Sequence, residues 1–192
     1  MNTETTHSKI TPVVTTPTVK WVFAKITRMM AFGFGSGLSP KAPGTAGTLW
    51  SWATFLIGDL FLSRQNWLWL IFGGIVLGCW ICGHVSEELG KQDFGGIVWD
   101  EIVAFWLVLV IIMPTAIWLQ AIAFILFRFF DAIKPGPIGM IDRYFKATED
   151  AQSASTYSLK ANLWQGFGIM IDDLAAAFFT LLVIALGQSL LK

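Results

Sequence analysis

Long apolar runs separated by short polar segments dominate the chain: 46–62, interrupted only by Asp59, then 67–83, 102–127 and 174–191. A helix needs about 20 apolar residues to cross a bilayer, with roughly 17 as the lower limit. The third run is too long for one span and holds Pro114 near its middle, so it divides into two short helices with a turn near Met113–Ala116. This pattern predicts an all-α, compact multi-helix integral membrane protein. About five short membrane helices are expected, near 46–62, 67–83, 98–113, 115–130 and 170–190, some short enough for one pair to be re-entrant.

Ahead of them, Trp21, Val22, Phe23, Ile26, Met29 and Met30 share one side of a helical wheel and Lys20, Lys25 and Arg28 the other. That pattern predicts an interfacial helix on anionic lipid, with a helix packed on the rest of the protein as the alternative. Residues 1–20 are rich in Thr, contain Pro12 and Pro17 and lack the apolar core of a signal peptide, which suits a disordered, uncleaved tail. Residues 21–192 then form a single membrane-embedded domain.

Composition agrees: 55% of residues are hydrophobic and 14% charged, against roughly 25% charged in an ordinary soluble domain. Thirteen basic and thirteen acidic residues balance, so net charge offers no reason to expect nucleic acid. Placement is more informative than total. Alternating the five helices across the bilayer puts Lys9, Lys20, Lys25, Arg28, Lys41, Lys91, Arg128, Lys134, Arg143, Lys146 and Lys160 on one face and leaves Arg64 and Lys192 opposite. By the positive-inside rule the charged face is cytoplasmic. Cys79 and Cys82 have C-x-x-C spacing but lie inside an apolar run, which favours buried membrane thiols over a redox pair.

The acids gather on that face too, with Asp59 alone placed deep. Asp100-Glu101 and Asp172-Asp173 each stand between apolar segments at an expected helix start. Adjacent carboxylates beside hydrocarbon repel one another and resist desolvation, and a hard divalent cation such as Mg²⁺ relieves both costs. The pairs are therefore candidate metal ligands. "FRFFDAIKPGPIGMIDR" places Arg128 and Asp131 three apart on one helix face, with Lys134, Asp142 and Arg143 behind, mixing metal ligands with phosphate donors; a snorkelling salt-bridge patch is the alternative. Asp93 precedes Asp100 across a Gly95-Gly96 turn able to fold it back, whereas His84 suits a cap.

The segment 33–48, "GFGSGLSPKAPGTAGT", lacks the spacings of both the Walker A loop and the dinucleotide fingerprint, so a nucleotide is not expected. What remains is a glycine-rich turn series carrying Lys41 and the Thr45 and Thr48 hydroxyls just ahead of a helix. This favours an anion, and close helix packing is the alternative.

Taken in order, "GFGSGLSPKAPGTAGT" at 33–48, "DFGGIVWDE" at 93–101, "FRFFDAIKPGPI" at 127–138 with "DR" at 142–143, and "GFGIMIDDLAAA" at 166–177 resemble the phosphatidylglycerophosphatase A family. The resemblance implies an Mg²⁺-dependent lipid phosphatase of the bacterial inner membrane that converts phosphatidylglycerophosphate into phosphatidylglycerol. It also implies that Asp93, Asp100, Glu101, Asp131, Asp142, Asp172 and Asp173 match the family's acidic positions. Trp164-Gln165 and the polar segment 146–162 depart from the family's pattern.

On this reading Asp100, Glu101, Asp172 and Asp173 supply the metal ligands, and Gly35, Ser36, Gly37, Lys41, Thr45, Arg128, Lys134 and Arg143 bind the substrate. Asp131, Asp142 and Asp93 are the catalytic candidates. The nucleophile is either a water activated by the metal or Asp131, which would form an acyl phosphate. A cation channel or transporter is the reading from another class, since acids within the membrane also mark ion paths.

Overall fold

The computed structural model describes residues 16–91, 94–136, 139–140 and 159–190, and all regular structure within them is helical. Among the described residues the longer stretches of α-helix run in order α1 Val19–Val22, α2 Ile26–Ala31, α3 Pro43–Gly58, α4 Arg64–Leu89, α5 Trp99–Ile112, α6 Ile117–Ile133 and α7 Leu159–Leu190. A 3₁₀ segment, Gly33–Leu38, joins α2 to the turn before α3.

Local chemistry accounts for several boundaries. Pro43 opens α3 at a position where its missing N–H costs nothing. Ser63 caps α4 by accepting from the Asn66 amide, and Gly90 closes it with φ 60°, a left-handed conformation that glycine adopts freely. The Pro114 break falls where expected, between Ile112 and Ile117.

The architecture is built around α5, whose residues are nearly all buried and which packs against α3, α4, α6 and α7. Its aromatic rings lock the neighbours: Trp99 Nε1 donates to the Gly74 carbonyl at 3.0 Å and Trp106 Nε1 to the Ser51 carbonyl at 3.0 Å. The closest helix pair is α4 with α7. A Cβ on Gly83 would strike the Asn162 carbonyl, and one on Gly166 the Cys79 carbonyl, so the two backbones touch where both side chains are hydrogen. Cys79 and Cys82 are free thiols on this same helix, Cys82 fully buried.

Four expectations can be set beside the structure. First, among the described residues only Arg64–Leu89 and Asn162–Leu190 are long and apolar enough to cross a membrane. The helices α3, α5 and α6 have 16, 14 and 17 residues. At 1.5 Å per residue they reach about 24, 21 and 26 Å, short of the roughly 30 Å hydrocarbon core. Second, α4 continues beyond residue 83 to Leu89 because Val85, Ser86 and Leu89 are buried, and α7 begins at Leu159, well before 170. Third, the amphipathic segment forms two short helices, with Val22 buried, Arg28 Nε bonded to Glu88 Oε2 at 2.7 Å and its guanidinium 4.0 Å over the Trp21 ring, while Lys20, Val19, Phe23 and Ile26 are exposed. Fourth, Asp59 is the exposed C-cap of α3.

Candidate active site

Three helix ends and the middle of α7 meet near the start of α5. Asp100 and Glu101 occupy the first turn of α5, where the helix dipole favours negative charge. Asp100 and Asp173 are buried, and the Glu101 and Asp131 side chains retain only a little exposure. Arg128, near the end of α6, joins them: its Nη1 lies 3.0 Å from Glu101 Oε1 and 2.6 Å from Asp131 Oδ2. One guanidinium nitrogen therefore bridges carboxylates from two helices.

Asp173, on α7, completes the cluster. Its buried carboxyl group lies within electrostatic reach of Asp131, Asp100 and Glu101. Its neighbour Asp172 points elsewhere, with Oδ2 2.9 Å from Lys134 Nζ. Lys134 reaches it from the C-cap of α6, held at φ 47° in the left-handed region, a cost of about 1 kcal/mol that the ion pair helps to offset. Asp100, Glu101 and Asp173 are brought together with Asp131 in place of Asp172.

The glycine-rich segment divides into two parts. Gly44 and Gly47 lie inside α3, and their lack of side chains lets α3 press against Glu101: a Cβ at Gly44 would strike Glu101 Oε1 and approach Arg128 Nη2 to 2.9 Å. For these two, close packing, the alternative to anion binding, is what the geometry supports. Thr48, buried one turn later, donates to the Gly44 carbonyl at 2.9 Å and accepts from Arg128 Nη1 at 3.4 Å. The first part forms the 3₁₀ segment, where Gly35 has φ 102° and Ser36 Oγ donates back to the Gly33 carbonyl at 2.8 Å. Gly37 is buried where a side chain would strike the Gly96 carbonyl. Thr45 is partly buried in the first turn of α3 and Lys41 is exposed before it.

Asp93, Asp142 and Arg143 lie outside the described residues. Thr48 appeared in sequence as one loop hydroxyl among several, and only its burial against Arg128 sets it apart. The pairing of Arg128 with Glu101 has no local signature, since 27 residues separate them.

A comparison with known protein families matches residues 29–149 to Phosphatidylglycerophosphatase A. The chain belongs to that family. The matched span carries the glycine-rich segment, Asp100, Glu101, Arg128, Asp131 and Lys134, and stops before α7. Curated relatives extend the likeness: a phosphatidylglycerophosphatase A of Haemophilus influenzae is 41% identical over 160 residues, covering 81% of this chain and 85% of the relative. One from Escherichia coli K12 is 37% identical over 149 residues, covering 77% and 75%. No solved structure matches the chain.

Membership of the phosphatidylglycerophosphatase A family raises the question of a divalent cation. Among the described residues no three His, Cys, Asp or Glu side chains stand together as a ready cation site. The donor chemistry nevertheless fits a hard ion, because Asp100, Glu101, Asp131 and Asp173 present only oxygen. Arg128 Nη1 lies between two of them, bridging Glu101 and Asp131.

Proposed function

We propose that this chain hydrolyses the terminal phosphate monoester of phosphatidylglycerophosphate, releasing phosphatidylglycerol and inorganic phosphate, with Mg²⁺ as cofactor. The reaction would occur at the cytoplasmic face of a bacterial inner membrane in which the protein is multi-pass. The observation that carries this reading is the Arg128 bridge between Glu101 and Asp131 beside buried Asp173, in a chain of this family. It assembles anion-binding and proton-carrying groups around one point.

Asp100, Glu101 and Asp173, with Asp131 adjacent, would hold the cation, which when bound neutralises charge on the phosphate oxygens. Displaced from its carboxylates, Arg128 offers a fork of N–H donors to two phosphate oxygens, and Lys134 a compact positive charge to a third. Asp131 stands between Arg128 and Asp173, where it can act as the base for an incoming water or attack phosphorus itself. Either way the bond from phosphorus to the glycerol oxygen breaks; on the second route a water then cleaves the aspartyl phosphate, releasing inorganic phosphate and restoring the Asp131 carboxylate. The departing glycerol oxygen would take its proton from Asp131 when Asp131 has served as base for the water, and from neighbouring Asp173 when Asp131 is the nucleophile. The cation-channel alternative gains no support from the comparisons, whose matches are named as phosphatases.

Purified protein in detergent micelles tests the reading. Phosphate release from phosphatidylglycerophosphate that requires added Mg²⁺ and stops with chelator is expected; no release under any divalent cation, or release indifferent to chelator, overturns it.

A further inference from the structure

Arg128 Nη1 carries two hydrogens and faces three acceptors from three helices: Asp131 Oδ2 of α6 at 2.6 Å, Glu101 Oε1 of α5 at 3.0 Å and Thr48 Oγ1 of α3 at 3.4 Å. Two of these are carboxylates, and Thr48 alone is neutral. On another edge of the guanidinium, Arg128 Nε is buried with no hydrogen-bond partner among the described residues.

Thr48 is a fixed acceptor. It is fully buried, and its hydroxyl proton is committed to the Gly44 carbonyl at 2.9 Å, the bond a helical threonine commonly makes to the residue four before it. The oxygen lone pairs are then left for Nη1. One turn on, Ser51 Oγ donates to the Ile102 carbonyl at 2.8 Å and Trp106 Nε1 to the Ser51 carbonyl at 3.0 Å, which pins α3 to α5 beside Glu101. Thr48 therefore keeps its place relative to the carboxylate whose cation it shares. Thr180 of α7 offers a contrast: it is as deeply buried and donates to the Ala176 carbonyl at 2.8 Å, and among the described residues no arginine or lysine donates to its oxygen.

We propose that Thr48 is a positioning residue for Arg128, its hydroxyl oxygen anchoring Nη1 so that the Nε edge is left for the phosphate of the substrate. The inference rests on the phosphatase reading above. A carboxylate that holds Arg128 also competes with an anion for its positive charge, whereas a hydroxyl holds the nitrogen and leaves the charge to the anion. When phosphate draws Arg128 from Glu101 and Asp131, Thr48 is the acceptor that stays with Nη1.

The test uses the full chain in detergent micelles with phosphatidylglycerophosphate and Mg²⁺, inorganic phosphate as inhibitor, and the variants Thr48→Val, Thr48→Ser and Thr180→Val. Valine keeps the volume and removes the acceptor; serine keeps the acceptor. Thr48→Val is expected to raise KM and the inhibition constant of phosphate together, each about tenfold, the scale of one hydrogen bond to a charged group, with kcat changed less than about threefold. Thr48→Ser is expected to restore both constants. Thr180→Val, the same change at an equally buried site, is expected to leave both unchanged however far it lowers the melting temperature. Should Thr48→Val fail to fold, Thr48→Ala removes the same oxygen without adding a methyl group and is expected to move both constants alike. Unchanged constants in the folded variant, shifts of equal size in Thr180→Val, or a Thr48→Ser variant that behaves like Thr48→Val overturns the proposal. Wild-type protein that releases no phosphate instead overturns the reading on which the proposal rests.

Discussion

Asp173 is 4% exposed and stands among Asp131, Asp100 and Glu101 with little contact with solvent. Asp173→Asn keeps the volume and removes the carboxyl group. Phosphate release should fall at least about 100-fold, the usual scale for losing an acid–base group, with the thermal midpoint in detergent unchanged or raised because a repelled charge is gone. Near-normal turnover would remove Asp173 from the site. Gly44 is a second test at this scale. Gly44→Ala drives a methyl group into Glu101 and toward Arg128, and should cost about 1–3 kcal/mol in stability, measured by denaturation in detergent, along with most activity. The acids themselves were legible as a type, because adjacent carboxylates amid apolar residues have few other uses. Which of Asp172 and Asp173 faces the cluster was not, since neighbours on a helix point about 100° apart and only the packing of α7 selects one.

At the scale of elements, the crossing of α4 and α7 depends on glycine where the backbones touch. Gly166→Ala and Gly73→Ala make the same chemical change with opposite expected outcomes. A Cβ at Gly166 meets the Cys79 carbonyl, whereas nothing lies within 4 Å of Gly73. The first should destabilise by about 1–3 kcal/mol. The second should be neutral or stabilise by up to about 1 kcal/mol through lost backbone freedom in the unfolded chain. Melting both variants beside the parent checks the pair, and equal melting temperatures would contradict the close crossing. The Pro114 break was readable because proline lacks the N–H a helix needs. The early start of α7 was not: Lys160, Asn162 and Gln165 interrupt the apolar pattern there, and the pairing of Asn162 with Glu87 and the contact of Gly166 with α4 carry the segment.

At the scale of the molecule, α4 and α7 are antiparallel, with Gly78 beside Met170 and Gly83 beside Asn162. The carboxylate cluster lies near the level of Gly78, since Trp99, one residue before Asp100, packs on that glycine. From there α4 runs eleven more residues to Leu89, about 16 Å, toward Glu88 and the α2 segment. The C-terminus therefore points to the same side as Arg64. With the basic face in the cytoplasm, a periplasm-dependent reporter fused after Lys192 should be active and a cytoplasm-dependent one silent. The reverse result would invert the assignment.

Apolar run length, the proline break and the clustering of acids determined a helical chain and marked Asp100, Glu101, Arg128, Asp131 and Asp173 as residues to watch, because each is a property of neighbouring positions. Tertiary structure alone decided that α5 is a buried core helix, that Arg128 bridges Glu101 and Asp131, and that the glycines of α3 serve close packing. Those outcomes depend on which helix faces which, and that follows from side-chain fit between segments far apart in the chain.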